Sequence, residues 1–346
     1  MITNITLENF KCFRHVSINP KLLTVLIGPN GTGKSSVLQA LLLLKQSSRE
    51  DRMSHRGQFV NVNNPEELAP NFQPESFLRF SCMGETGGQP FEYSASFFQN
   101  LVRVSGSQSQ GSFRDIKAAL NSLRYVPALR GLLHPSYELG SDRVAEVSLQ
   151  QGLDASEEQL ATNLGYARPL EDWLSGLLEK VTGTGLRVEI VPGQMVEVKS
   201  KTQSGPVNIV TEGFGTNSLI MLFHQLLSAA KGATVLIEEP EIHLHPKAQA
   251  ELAEVMADTA KAEDKQVIMT THSEHLVERL LLLVAEGILT PDDLAIYSFA
   301  KDEKSECSSS EIKVTENGQV EGGLTDFYAN NLDTLDRRVK ALRRSQ

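Results

Sequence analysis

The stretch Gly28-Pro29-Asn30-Gly31-Thr32-Gly33-Lys34-Ser35 satisfies the spacing G-x-x-x-x-G-K-[ST]. An apolar run, Leu22 to Ile27, precedes it and a helical pattern from Ser36 to Leu44 follows, the strand-to-helix context in which this spacing cradles phosphate. Glycines are needed because successive backbone N–H groups must turn inward around phosphate oxygens, where a Cβ would intrude. Lys34 would neutralise the β- and γ-phosphates, Ser35 would ligate Mg2+, and the helix N-terminus adds its partial positive charge. The implied chemistry begins with a bound nucleoside triphosphate.

Such a loop needs a carboxylate to hold the metal and a group to orient water. Val235-Leu236-Ile237-Glu238-Glu239-Pro240-Glu241 supplies both from one strand end. Adjacent carboxylates there diverge, so Glu238 can face the metal while Glu239 points toward the γ-phosphate. The strand Val267 to Thr270 ends in Thr271-His272-Ser273, where a neutral imidazole could hydrogen-bond a γ-phosphate oxygen. Thr211 to Ser218 puts Gly-rich backbone at a helix start, a second anion site in a chain that already has one. It is read as serving a nucleotide held by another subunit. His243, His245, His272 and His275 raise the alternative of a zinc hydrolase, but Pro246 follows His245 directly and no independent ligand set is apparent.

The elements that must position these residues follow from patterning. Ile2 to Glu8 and His15 to Ile18 read as strands, and Leu22 to Ile27 as a strand buried on both faces. Phe77 to Cys82, Phe91 to Phe98, Leu123 to Pro127 and the hairpin Arg187 to Val198 are strand-like; Ile116 to Leu123, Ser156 to Leu164 and Leu170 to Val181 are helical, the last with Trp173, Leu174, Leu177 and Leu178 on one face. After Gly205-Pro206, helices at 218–230, 246–261 and 274–285 alternate with strands at 234–237, 266–270 and a last one at 294–299. Alternation of this kind implies a mainly parallel sheet with ligand loops at the strand C-terminal ends. The expected division is a discontinuous core at 1–75 and 205–300, an inserted α/β subdomain at 76–204, and an extension at 301–346. In that extension Leu332, Leu335, Val339 and Leu342 form a stripe among Arg337, Arg338, Lys340, Arg343 and Arg344, a basic amphipathic helix.

With 40% apolar residues the chain can fill a core, and its net charge of -10 argues against coating nucleic acid over the whole surface. No uninterrupted apolar run suits a membrane span and no basic leader opens the chain, so membrane attachment is not expected. Cys12, Cys82 and Cys307 are widely spaced and read as reduced thiols, which suits the cytoplasm.

The order Gly-Pro-Asn-Gly-Thr-Gly-Lys-Ser-Ser, Glu-Gly-Phe-Gly-Thr-Asn-Ser-Leu, Leu-Ile-Glu-Glu-Pro-Glu-Ile-His-Leu-His-Pro and Thr-Thr-His-Ser-Glu-His-Leu resembles the ABC-class ATPases of the SMC, RecF and OLD kind, most of all the compact bacterial AAA_15/AAA_21 type. The opening Ile5 to Phe13 and the segment Tyr125-Val126-Pro127-Ala128-Leu129-Arg130 carry the same likeness. It implies an α/β ABC-type P-loop ATPase head, a mixed sheet flanked by helices, here with an inserted α/β lobe. It also implies ATP and Mg2+ as cofactors. Asn30, Gly31, Thr32, Gly33, Lys34, Ser35 and Ser36 would cradle the nucleotide, Ser35 and Glu238 the metal; Glu239 would be the catalytic glutamate and His272 the switch histidine. Gly213, Gly215, Thr216 and Ser218 stand where the ABC signature lies and would complete a second chain's site in trans. The usual Leu-Ser-Gly-Gly core is missing there, and Glu238 replaces an aspartate. Gln46, Gln58 and Gln73 remain alternatives for the glutamine loop. The expected activity is ATP hydrolysis by a homodimer or higher oligomer, coupled to a separately encoded effector such as a nuclease in antiphage defence or abortive infection, the stretch after residue 300 being too short for the Toprim nuclease of OLD proteins. The alternative is a RecF-like ATPase that binds DNA in repair or recombination.

Overall fold

Strand Leu23–Ile27 is buried at every position, which requires cover on both faces, and the architecture supplies it. The computed structural model describes residues 1–47, 55–69, 78–86, 89–98, 101–103, 119–141 and 156–323. In chain order the first strands are Ile2–Phe10 (β1), Phe13–Ile18 (β2), Leu23–Ile27 (β3), Leu78–Thr86 (β4), Gln89–Phe98 (β5), Leu101–Arg103 (β6), Arg124–Val126 (β7) and Tyr137–Glu138 (β8). Gly185–Val191 (β9), Met195–Thr202 (β10), Gly205–Asn208 (β11), Thr234–Glu238 (β12), Gln266–Thr270 (β13), Leu294–Lys301 (β14) and Cys307–Ile312 (β15) follow. The helices are Lys34–Ser47 (α1), Glu157–Tyr166 (α2), Arg168–Thr182 (α3), Phe214–Ser228 (α4), Pro246–Ala262 (α5) and Glu274–Ala285 (α6).

A six-stranded sheet, ordered β15-β14-β3-β13-β12-β7, forms the centre. All its neighbours run parallel except the edge strand β15. Alternate residues of β3 divide between two apolar clusters: Leu26 joins α1 and the antiparallel sheet β2-β1-β4-β5-β6, while Leu23, Val25 and Ile27 join α4, α5 and α6. Buried Gln266 ties the two sheets together: its Oε1 accepts from Ile2 N at 2.9 Å and its Nε2 donates to Ile2 O at 2.7 Å. The chain is thus a mixed α/β fold in layers, with the C-terminal ends of β3, β12 and β13 at one rim.

Several boundaries differ from the sequence reading. Strands β4, β5 and β6, from the stretch expected as an inserted subdomain, extend the antiparallel sheet through the pairing of β4 with β1, and β7 sits beside β12 in the central sheet. The separate four-stranded sheet contains only β8 to β11, with α2 and α3 against it. Strand β14 is not the last, because polar Cys307–Ile312 adds an edge. Trp173 is 61% exposed, off the buried face of α3 that Leu174 and Leu178 define. Residues 106–112, most of the expected helix at 116–123, and the basic stripe at 332–344 lie outside the described residues.

Candidate active site

The loop between β3 and α1 turns through left-handed backbone at Gly28, Gly31 and Gly33, with φ of 140°, 77° and 94°. Lys34 is buried; its Nζ donates to the carbonyls of Gly28 and Pro29 at 2.8 and 2.9 Å, and Thr32 Oγ1 also donates to Pro29 O at 2.8 Å. These bonds hold the ammonium under the loop. Desolvation pulls the Lys34 pKa down while Glu239 and Glu241 push it up. Asn30 and Gly31 lie exposed at the tip, and Ser35 and Ser36 are half-buried at the helix start.

Strand β12 ends in Glu238, whose ionised form is favoured by the neighbouring Tyr125 and Ser35 side chains and the Ala128 backbone. Burial and neighbouring Glu239 nevertheless raise its pKa, and its Oε1 has no hydrogen-bond partner. An unpartnered buried carboxylate oxygen beside a serine hydroxyl is a donor set that fits a hard divalent cation. Glu239 follows in left-handed backbone, φ 44°, its N–H donating to Thr270 O at 3.0 Å. This conformation is uncommon for a residue with a Cβ and swings the side chain off the strand's alternation. Strand β13 brings His272 to the same rim, where desolvation and the Lys34 ammonium hold its pKa below the ordinary value against the pull of Glu239. The neutral ring is therefore the favoured form near pH 7.

The Gly-rich segment opens α4 elsewhere. Gly213 is its N-cap without a side-chain bond, and Gly213, Gly215 and Thr216 line a cleft of about 520 Å3 with His243, His245, Lys180 and Lys247. A Cβ on Gly215 would lie 2.7 Å from His243 O, so glycine lets the loop after β12 close on this turn. Ser218, expected among the trans contacts, is fully buried within this chain, its hydroxyl donating to Gly215 O at 2.9 Å. His243 meets Phe214 edge to face at 5.2 Å, and His245 Nδ1 accepts from Lys247 N at the start of α5. Among the described residues no three His, Cys, Asp or Glu side chains are grouped to hold a metal ion.

Of the glutamine-loop alternatives, Gln46 is committed to the Phe59 and Val60 backbone at 3.0 to 3.1 Å, Gln58 is exposed, and Gln73 lies outside the described residues. Two residues with no role in the sequence reading stand out. Glu241 is buried; its Oε1 accepts from His272 N at 2.7 Å, and burial raises its pKa. Arg130 is 6% exposed and its guanidinium donates only to backbone carbonyls. The signal for Arg130 was present as an arginine just beyond a core strand with no acidic neighbour in sequence.

Fold and phosphate loop together define an ABC-class ATPase of the SMC and OLD type. A family model described as AAA ATPase domain, AAA_15, matches residues 1–78 and 110–277, and the chain belongs to that family. It is similar to the OLD nuclease of Thermus scotoductus, 24% identical over 355 residues, an alignment covering 88% of this chain and 65% of that protein. It is also similar to the DNA double-strand break repair Rad50 ATPase of Methanococcus maripaludis, 38% identical over 87 residues, 25% of this chain and 8% of that one. Among solved structures, an SMC head bound to the C-winged helix domain of ScpA superposes with a TM-score of 0.62 at 14% identity, covering 90% of this chain and 97% of that one. The Pyrococcus furiosus Smc head with an extended coiled coil, bound to the C-terminal domain of ScpA, gives 0.60 at 12% identity with 99% of each chain covered. No helix among the described residues is long and apolar enough to cross a membrane.

Proposed function

We propose that two copies of this chain close head to tail around ATP. Each phosphate loop, with Asn30 to Ser36, holds a nucleotide that Gly213, Gly215 and Thr216 of the other copy cover. Glu239 polarises a water for in-line attack on the γ-phosphorus, and His272 donates to a γ-phosphate oxygen. Ser35 and Glu238 would hold Mg2+, which when bound neutralises charge on the phosphate oxygens. The observation that carries this reading is the arrival of Lys34, Glu239 and His272 at one rim, close enough for each to shift the charge balance of another, while the signature turn opens into a different cleft. The test is Glu239→Gln. It should bind ATP as the unaltered chain does, accumulate as an ATP-dependent dimer in sedimentation, and lose about 100-fold or more in kcat, the scale of a general base. Normal turnover by that variant would remove Glu239 from the role.

For the biological output, the likeness to an OLD nuclease along 88% of this chain favours a cytoplasmic ATPase that drives an effector nuclease in antiphage defence or abortive infection. The Rad50-like segment favours instead a DNA-repair ATPase that binds DNA itself. Co-purification with a nuclease supports the first reading; salt-dependent binding of duplex DNA by the purified protein alone supports the second.

A further inference from the structure

The guanidinium of Arg130 lies inside the molecule, and every one of its acceptors is a main-chain oxygen. Nε donates to Ser218 O at 3.2 Å; Nη1 donates to Pro127 O and Glu238 O, each at 2.9 Å; Nη2 donates to Glu239 O and Pro240 O, each at 3.0 Å. A sixth and longer contact reaches Ala128 O at 3.5 Å. Three consecutive carbonyls, those of residues 238, 239 and 240, are therefore pinned by one planar group. They flank and include the residue whose backbone is left-handed, Glu239. A peptide in that conformation has cheaper alternatives nearby and stays put only when its surroundings over-determine it.

Arg130 is itself anchored. Asn217 in the first turn of α4 brackets the adjoining Leu132, accepting from its N–H and donating to its carbonyl, both at 2.8 Å. Burying a cation among neutral carbonyls is costly unless charge compensates it. Desolvation lowers the Arg130 pKa to about 10, and the charges of Glu241, Glu239 and Glu238 offset part of that cost. An ion pair with any one of those carboxylates would have been simpler, yet these donor bonds all go to the backbone and none to a carboxylate.

We propose that Arg130 is a positioning residue for hydrolysis: by fixing the carbonyls of Glu238, Glu239 and Pro240 to the first turn of α4, it sets the direction of the Glu239 carboxylate. This rests on the reading of Glu239 as the group that polarises water. Lysine keeps the charge but is a single point with three donors, and it cannot span carbonyls that a planar fork reaches together.

The experiment compares Arg130→Lys, Glu239→Gln and the double variant, with kcat expressed per nucleotide-binding site from titration with a fluorescent ATP analogue. Arg130→Lys should fold with a near-normal melting profile, bind the analogue within about threefold of the unaltered chain, and lose about 100-fold in kcat, the scale of an ångström's misplacement. In the double variant the lysine should add nothing to the loss from Glu239→Gln, because both act at one group. A structural role alone would lower the number of binding sites and leave kcat per site unchanged; that result overturns the proposal. An equal further loss on top of Glu239→Gln also overturns it, because Arg130 would then act elsewhere. If Glu239→Gln itself turns over normally, the assignment of the base fails, and a slow Arg130→Lys then places the arginine's effect on some other group, against the proposal.

Discussion

Gly33 has no room for a side chain: a Cβ there would lie 2.3 Å from Phe13 Cζ and 2.7 Å from Cys12 Sγ, in backbone at φ 94°. Gly33→Ala should cost about 1–3 kcal/mol from strain and overpacking and weaken ATP binding. Denaturant unfolding and a fluorescent-nucleotide titration read the two effects separately. The loop itself was legible because its residues are neighbours in sequence and their types follow from what phosphate requires. The same holds for Glu238, Glu239 and His272, each at the end of an apolar strand. The contacts of Arg130 and Glu241 beside this rim were not legible, because what they bind is a carbonyl or an amide of another element, and every residue but proline offers both. The burial of Ser218 was not legible for a related reason: the pattern of a helix start does not say which of its first hydroxyls faces inward.

Helix α4 carries an element-scale consequence, since it buries a long run from Asn217 to Leu226 that includes His224. Burial first, then the Arg124 charge, hold the His224 pKa down from 6.5 to about 4, with Nε2 3.1 Å from Asn163 Nδ2. The folded chain keeps this ring neutral while the unfolded chain protonates it below pH 6.5. Stability from this group is therefore complete above pH 6.5 and falls as pH drops toward 4, by about 3 kcal/mol in all. Buried Glu238 and Glu241, whose pKa values are raised, slope the other way and lose stability as pH rises. The difference in unfolding free energy between the unaltered chain and His224→Gln, measured at pH 7 and pH 4, cancels those carboxylates and should recover the His224 share. At this scale the parallel strands were legible from continuous apolar runs. Strand β15 was not, because CSSSEI is a half-exposed edge whose pairing comes from β14 and not from its own pattern.

At the scale of the whole molecule, one of the two apolar clusters runs from the lobe into the central layers. Leu174 and Leu178 of α3 and Val196 of β10 belong to the same apolar cluster as Val235, Leu252 and Leu276 of the central layers. Leu178→Ala, at a fully buried position, should destabilise the chain by about 2–5 kcal/mol through a single transition. Fluorescence of Trp173, the chain's one tryptophan, reports the lobe, and far-ultraviolet circular dichroism reports the whole; their unfolding curves should coincide. Patterning leads to the expectation of α/β elements interrupting the ATPase core, but it could not show that β4 pairs with β1, because strand partners that far apart leave no mark in local spacing. A lobe fused to the head in this way cannot be traded among relatives as a ready-made cassette: a graft would arrive with half a core and leave the other half bare. Change on the lobe's surface is open one substitution at a time, at positions such as Trp173 and Ile190 that face outward, while the interior beneath them is common to lobe and head.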